Sequence, residues 1–415
     1  MRLRQLIFWL HLIAGVVAAI VILVMSATGV ALAFEKEIIA WAERDARLVV
    51  APEAGVSRLS LDELLDQLRV QLSGERPSAV TLYSDANTPV QVSFGRTNTY
   101  YINPYSADMR PQGAKNVRKF MQTMIGWHRY LGGGTEHRAL GKAVTGVCNA
   151  AFLFLAVSGL YLWWPRQWTG AALRVIGLMN FKLGGKARDW NWHNAVGFWC
   201  APVLIILTAT ALPISYRWAG DLIYKLAGST PPAQGRGADS GASVVEVPAP
   251  PWGAKPLGME ALFAAAQKEF PLWKQISYRG GGPGGRGGRG EGSPRASGTN
   301  MNSSPQKPGG GENRERRDRD RPQAVTLAIV EKGQWPLFAS TQLTLDPFTG
   351  LVLRKESFSS YNLGRQVRSW TRFLHTGEAL GLAGKALAAI ASAGAVLLVW
   401  TGFALAWRRF FFRKG

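Results

Sequence analysis

Residues 7–34 read IFWLHLIAGVVAAIVILVMSATGVALAF. The run holds no carboxylate, lysine or arginine, and it exceeds the roughly 20 residues a helix needs to cross a hydrocarbon core about 30 Å thick. Arg2 and Arg4 precede it and Ala31, Leu32 and Ala33 close it, which is also the outline of a secretory signal with an A-x-A site. A signal's apolar region is about 7–15 residues long. This run is far longer and is interrupted by His11, so it reads as a retained transmembrane helix.

Working outward, three further stretches have the same character: Gly141 to Trp164, Ala195 to Tyr216, and Leu380 to Trp407. Basic residues gather beside alternate ends of the four spans. Arg2 and Arg4 lie before the first, Arg166, Arg174, Lys182, Lys186 and Arg188 between the second and third, and Arg408, Arg409, Arg413 and Lys414 after the fourth. By the positive-inside rule these segments are cytoplasmic. Both termini are then cytoplasmic, and the two long connections face the other side.

The expected layout is a first span over 1–34, an outer domain over 35–126, and a second span with its approach over 127–164. A cytoplasmic loop over 165–192, a third span over 193–216, a second outer domain over 217–372 and a last span with its basic tail over 373–415 complete it. In the first connection an amphipathic stretch from Leu59 to Leu72, with Leu61, Leu64, Leu65 and Leu68 on one face, is followed by alternating strands at Ala79 to Tyr83, Val90 to Phe94 and Thr99 to Ile102. The second connection repeats that order: a helix from Met259 to Phe270, then strands near Trp273 to Tyr278, Ala324 to Val330, Ser340 to Leu345 and Leu351 to Arg354. The sequence therefore predicts an internal duplication: a membrane four-helix bundle carrying two small α+β domains.

Residues 280–322 are rich in Gly, Arg, Ser and Pro and lack the apolar surface that offsets ordering entropy, which predicts a disordered insertion. Its Arg-Gly repeats and the formal net charge of +21 suggest nucleic-acid tails. The insertion lacks interleaved aromatics for base stacking and falls outside the cytoplasm, so a solvated linker or contact with anionic lipid is expected instead. Cys148 and Cys200 both lie in spans and need not pair; no covalent haem motif, zinc spacing or phosphate loop occurs.

The chain has five histidines. An ionisable side chain in or beside a span is costly and points to function, and neutral imidazole is a common ligand of haem iron. His11 lies near the cytoplasmic start of the first span and His193 at that of the third. His128 and His375 precede the second and fourth spans on the outer side. Two depth pairs result, each drawing one member from each half. Either these are interfacial imidazoles at helix ends, or each pair grips a haem iron from both faces; the paired depths favour haem. His137 is an alternative to His128. Arg129, Arg138, Arg365, Arg368 and Arg372 lie near the outer pair, set either for haem propionates or for lipid phosphates. Trp127, Trp163, Trp164, Trp190, Trp192 and Trp370 flank the sites, mostly as an interfacial aromatic belt.

The run Ser158-Gly159-Leu160-Tyr161-Leu162-Trp163-Trp164-Pro165-Arg166, the His-Arg-Tyr-Leu at 128–131, the Trp-His-Asn-Ala-Val-Gly at 192–197, the Leu-His-Thr-Gly at 374–377 and the turns at 101–105 and 345–350 resemble the PepSY-associated transmembrane family. The resemblance implies PepSY-like periplasmic domains in a bacterial inner-membrane protein. It implies a siderophore reductase with two b-type haems, His11 and His193 ligating the cytoplasmic-side iron and His128 and His375 the periplasmic-side iron. Its acceptor would be a ferric siderophore and its donor a quinol or a cytoplasmic reductase, with no nucleic-acid partner. PepSY-type domains also occur in binding and regulatory proteins, so a membrane-anchored protein without redox work is the other expectation.

Overall fold

The computed structural model describes residues 3–52, 56–72, 75–95, 98–165, 169–232, 245, 247–248, 253–280 and 323–411. The insertion predicted over 280–322 lies, apart from Gly280, outside the described residues.

Four helices are long and apolar enough to cross a membrane: α1 (Leu3–Ala33), α5 (Arg138–Trp163), α7 (Gly185–Ser215) and α11 (Gly381–Phe411). Between them run α2 (Glu35–Ala42), α3 (Leu61–Gln71), α4 (Lys115–Tyr130), α6 (Gly170–Gly177), α8 (Arg217–Leu226), α9 (Met259–Glu269) and α10 (Leu363–His375). α1 packs against α5 and α11, and α7 packs against the same two. The faces that meet carry small residues, among them Ala18, Ser26, Thr28, Gly146, Ala391 and Ala395. Small side chains let backbones approach where the surrounding lipid offers no hydrophobic gain between helices.

The helices outrun the apolar stretches at several ends. α7 begins at Gly185, so His193 is eight residues inside the helix rather than at its start, and the loop expected to reach residue 192 ends sooner. The polar first turns are stabilised by Asp189, whose carboxylate lies 2.8 Å from Arg188 and 3.0 Å from Arg408 at the end of α11.

The strands are β1 (Ala79–Tyr83), β2 (Val90–Phe94), β3 (Asn98–Ile102), β4 (Met109–Pro111), β5 (Trp273–Arg279), β6 (Val325–Glu331), β7 (Thr341–Leu345) and β8 (Val352–Glu356). They form a single antiparallel sheet in the order β4-β3-β2-β1-β5-β6-β7-β8. The β1–β5 ladder, Ala79 opposite Arg279 through Tyr83 opposite Gln275, fuses strands from the two connections. Alternate residues such as Val80, Val92, Ile276, Leu327 and Leu343 are buried beneath α3 and α9. The two helices cap each other: Asp62 accepts from the Met259 amide at 2.7 Å, and Glu260 accepts from the Leu61 amide at 2.6 Å.

One buried carboxylate joins this sheet to the helices. The Glu43 side chain has no exposed surface. It accepts from Arg118 Nε and Nη2 on α4 at 2.6 and 2.7 Å, from Arg47 at 2.9 Å and from the Tyr101 hydroxyl of β3 at 2.8 Å. Burial alone would raise its pKa, but the hydrogen bonds from Arg118, Tyr101 and Arg47 prevail and hold it below the ordinary 4.5. A depressed folded pKa means that the carboxylate's stabilisation is complete above the unfolded value and is lost as pH falls through the folded one. Glu43→Gln should cost about 2–3 kcal/mol at neutral pH, less than the 3–5 of a fully buried broken pair because both arginines keep a wet edge. Acid titrations of unfolding should show the wild type losing stability below about pH 4.5 and the variant losing less; parallel curves would contradict this.

Candidate functional site

All four histidines of the two expected pairs are held by hydrogen bonds at the same ring nitrogen. His11 Nδ1 of α1 lies 2.8 Å from Ser158 Oγ of α5, and His193 Nδ1 of α7 lies 2.9 Å from Thr401 Oγ1 of α11. His128 Nδ1, at the end of α4, lies 2.9 Å from the Met25 carbonyl and 3.0 Å from Thr28 Oγ1, both on α1. His375 Nδ1, the last residue of α10, lies 2.9 Å from the Leu207 carbonyl of α7.

The partners assign the tautomer. A carbonyl only accepts, so His128 and His375 carry their proton on Nδ1. For His193 the hydroxyl leads to the same answer: Thr401 donates to Leu397 O at 2.8 Å, leaving its oxygen to accept from the imidazole. Ser158 lies 3.4 Å from Leu155 O and is assigned the same accepting role towards His11. With these assignments every Nε2 is a bare lone pair, the form in which imidazole binds a metal, with its orientation fixed through the other nitrogen.

Most of these partners recur at fixed spacings along the chain. His11 and His193 are 182 residues apart, as are Met25 and Leu207, and Thr28 and Thr210; Ser158 and Thr401 are 243 apart, as are Gly159 and Gly402. Glycines line three of the rings, and at Gly402 the approach is tight. A Cβ on Gly159 would lie 3.4 Å from His11 Cε1, one on Gly402 3.2 Å from His193 Cε1, and one on Gly29 3.7 Å from His128 Cε1. Nothing in a hydropathy reading singles out Ser158, Thr401, Thr28, Met25 or Leu207. The repeated Ser-Gly and Thr-Gly dipeptides are the signal that would have found the first two.

The structure brings His128 and His375 together with ring centres 6.3 Å apart and planes at 52°. Two imidazoles sharing one metal would need a metal–nitrogen bond of about 2.0 Å and about 1.2 Å more to each ring centre, about 6.4 Å in all, close to the spacing here. Among the described residues no three His, Cys, Asp or Glu side chains converge to bind a bare ion. A two-imidazole site suits a metal that brings its own equatorial ligands, as iron does in a porphyrin. His137 stands apart, exposed at the N-terminus of α5. Cys148 and Cys200 are free thiols.

Around the outer pair, Arg138 and Arg129 lie against the Tyr130 ring at 4.7 and 5.2 Å, and Arg372 against Phe373 at 5.6 Å. Arg365 covers Tyr361 at 3.5 Å, and Arg368 donates to Thr371 Oγ1 at 3.2 Å. Phe373 in turn stacks on Phe338 of the β6–β7 loop, 4.2 Å away and nearly coplanar. At the other end Trp163 stacks on Phe198 at 4.1 Å and donates to Ile176 O, while Trp192 donates to Asn180 O.

Among the described residues four helices are long and apolar enough to span a membrane, which fits a multi-pass membrane protein, and four oriented imidazoles lie on or beside them. The sequence pattern of the family described as PepSY-associated TM region matches residues 8–409, and the chain belongs to that family. No curated protein matches it.

The tautomer assignment is open to direct measurement. Nitrogen-15 solid-state NMR of histidine-labelled, metal-free protein should show protonated Nδ1 and bare Nε2 at four of the five histidines near neutral pH. Predominantly Nε2-protonated signals would contradict the assigned network.

Proposed function

We propose that this protein is a di-haem b oxidoreductase of a bacterial inner membrane that carries electrons across the bilayer to ferric siderophores in the periplasm. The observation that carries the proposal is the set of four Nδ1-anchored, Nε2-bare imidazoles, one pair of them 6.3 Å apart. His11 and His193 would hold the haem nearer the termini, and His128 and His375 the haem nearer the sheet. Each haem would supply reversible one-electron chemistry.

The chain's own contributions follow from its residues. Nδ1 hydrogen bonds to Ser158, Thr401, Met25 and Leu207 stop the rings from turning and raise their basicity as ligands. The arginines near the outer pair supply cationic partners for carboxylates such as propionates. The basic residues flanking the spans set both termini in the cytoplasm and the sheet in the periplasm. In this reading the molecule is a duplicated four-helix bundle, and its two PepSY-like halves share a sheet that offers the acceptor a surface. Ferric iron in a siderophore is held by hard oxygen donors; one electron makes it ferrous and weakens that hold, so reduction is a release step. With no nucleotide-binding motif in the sequence, the donor is a quinol or a separate cytoplasmic reductase. A tether alone needs neither four spans nor oriented, half-buried imidazoles.

Two experiments test the proposal. Replacing either member of a pair by Ala should remove about one haem and spare the other, and one replacement from each pair should empty both sites. His137→Ala should leave haem content unchanged. Ser158→Ala or Thr401→Val, which remove only a second partner, should weaken haem retention about 10–100-fold at the terminal-side site alone. Retention of two haems by all four single alanine variants would refute the site. In proteoliposomes enclosing a ferric siderophore on the sheet side, an external reductant should produce ferrous iron inside; haem-loaded protein that fails to do so would refute the reaction.

A further inference from the structure

α2 is eight residues long and follows α1 after the single residue Phe34. Two ion pairs leave it and a third leaves its C-cap residue, Glu43, each in a different direction. Lys36 Nζ lies 2.7 Å from Glu378, three residues beyond His375. Glu37 lies 2.7 Å from Lys385 in the first turns of α11, and the Lys385 side chain is only 7% exposed. Just past the helix end, Glu43 holds Arg118 of α4, ten residues before His128, together with Tyr101 of the sheet. Behind α2, α1 presents Met25 O and Thr28 to His128 itself. One short helix is thus fastened to both sides of the outer imidazole pair and to β3.

Stability does not account for the two lysine pairs of α2. An exposed pair such as Lys36–Glu378 contributes little, and burying Lys385 with a carboxylate roughly breaks even. The corresponding junction between α7 and α8 is built from different residues. α8 follows α7 as α2 follows α1, yet Trp218, Ala219 and Lys225 stand 182 residues after Lys36, Glu37 and Glu43. There the helix meets α10 by close apolar packing, with Tyr224 so near Gly364 that a Cβ on that glycine would lie 2.5 Å from the ring. What the Glu43–Arg118 contact adds, and apolar packing does not, is direction: a bidentate Arg–carboxylate contact fixes angle as well as distance, and two imidazoles that held one metal would need both fixed.

We propose that α2 sets the separation and angle of the outer imidazole pair, with Glu43 as its positioning residue, and couples that pair to the sheet through Tyr101. The inference rests on the haem reading for its consequence but not for its mechanics, so two readouts separate them. The first is hydrogen exchange of the full chain in lipid nanodiscs. Glu43→Gln should speed amide exchange in residues 118–130 of α4 about tenfold while residues 190–200 of α7 keep their protection. The second is the low-temperature electron paramagnetic resonance spectrum and midpoint potential of the purified haem protein. Glu43→Gln and the mild surface variant Lys36→Ala should each shift the signal lost in His128→Ala, leave the signal lost in His11→Ala in place, and retain both haems. Lys36→Ala should do so without changing the melting temperature, which a merely structural role would not produce. Exchange that rises equally in all four long helices, or outer-site signals unmoved by both variants, would overturn the proposal. If the protein holds no haem, the haem reading fails and the exchange pattern alone decides this one.

Discussion

A neutral imidazole inside a membrane must satisfy its N–H without water, and that constraint organises this molecule. Each of the four histidines does so through Nδ1 on a neighbouring helix: His11 on α5, His193 on α11, His128 on α1 and His375 on α7. Unsatisfied polar groups in lipid cost several kcal/mol each, so these bonds dictate which helices lie side by side as well as how the rings point. With Nδ1 committed, Nε2 is left bare, and structure passes into chemistry at that atom. At Gly402 ring and backbone pass so close that a Cβ would sit 3.2 Å from His193 Cε1, tighter than ordinary contact.

The remaining architecture delivers the histidines to those partners. Gly141 and Gly384 stand 243 residues apart at the starts of α5 and α11. A Cβ on either would collide with a preceding backbone oxygen, Tyr130 O at 2.2 Å or Gly377 O at 2.3 Å. The approach helices α4 and α10 can therefore end tightly against the spans they precede, which sets His128 and His375 beside α1 and α7. The sheet ties the approaches together from above, through Arg118 and Glu43 on one side and the Phe338–Phe373 stack on the other.

Much of this was legible in the sequence, for reasons that also mark where reading stops. The four spans follow from apolar runs too long for anything else, and β1, β2 and β7 from strict alternation. The pairing of β1 with β5 was not legible, because the partners are about 200 residues apart and hydropathy carries no register. Nor were α4 and α10 as separate helices: both are short and basic, and neither has the length of a span. His193 was placed at a helix start because residues 185–192 are polar; the Asp189 ion pairs that stabilise them as helix come from Arg188 and the far end of the chain. Ser158 and Thr401 look like ordinary small residues of packed membrane helices. Only the structure shows their hydroxyls turned to imidazoles.

The central claim is that paired histidines hold haem iron between them. The most direct test is a pyridine haemochrome assay on the purified full-length protein, read against protein concentration. The account predicts two non-covalently bound b-type haems per chain, extractable by acid acetone. Protein purified from haem-replete cells with no Soret band, or with haem that resists extraction, would contradict it.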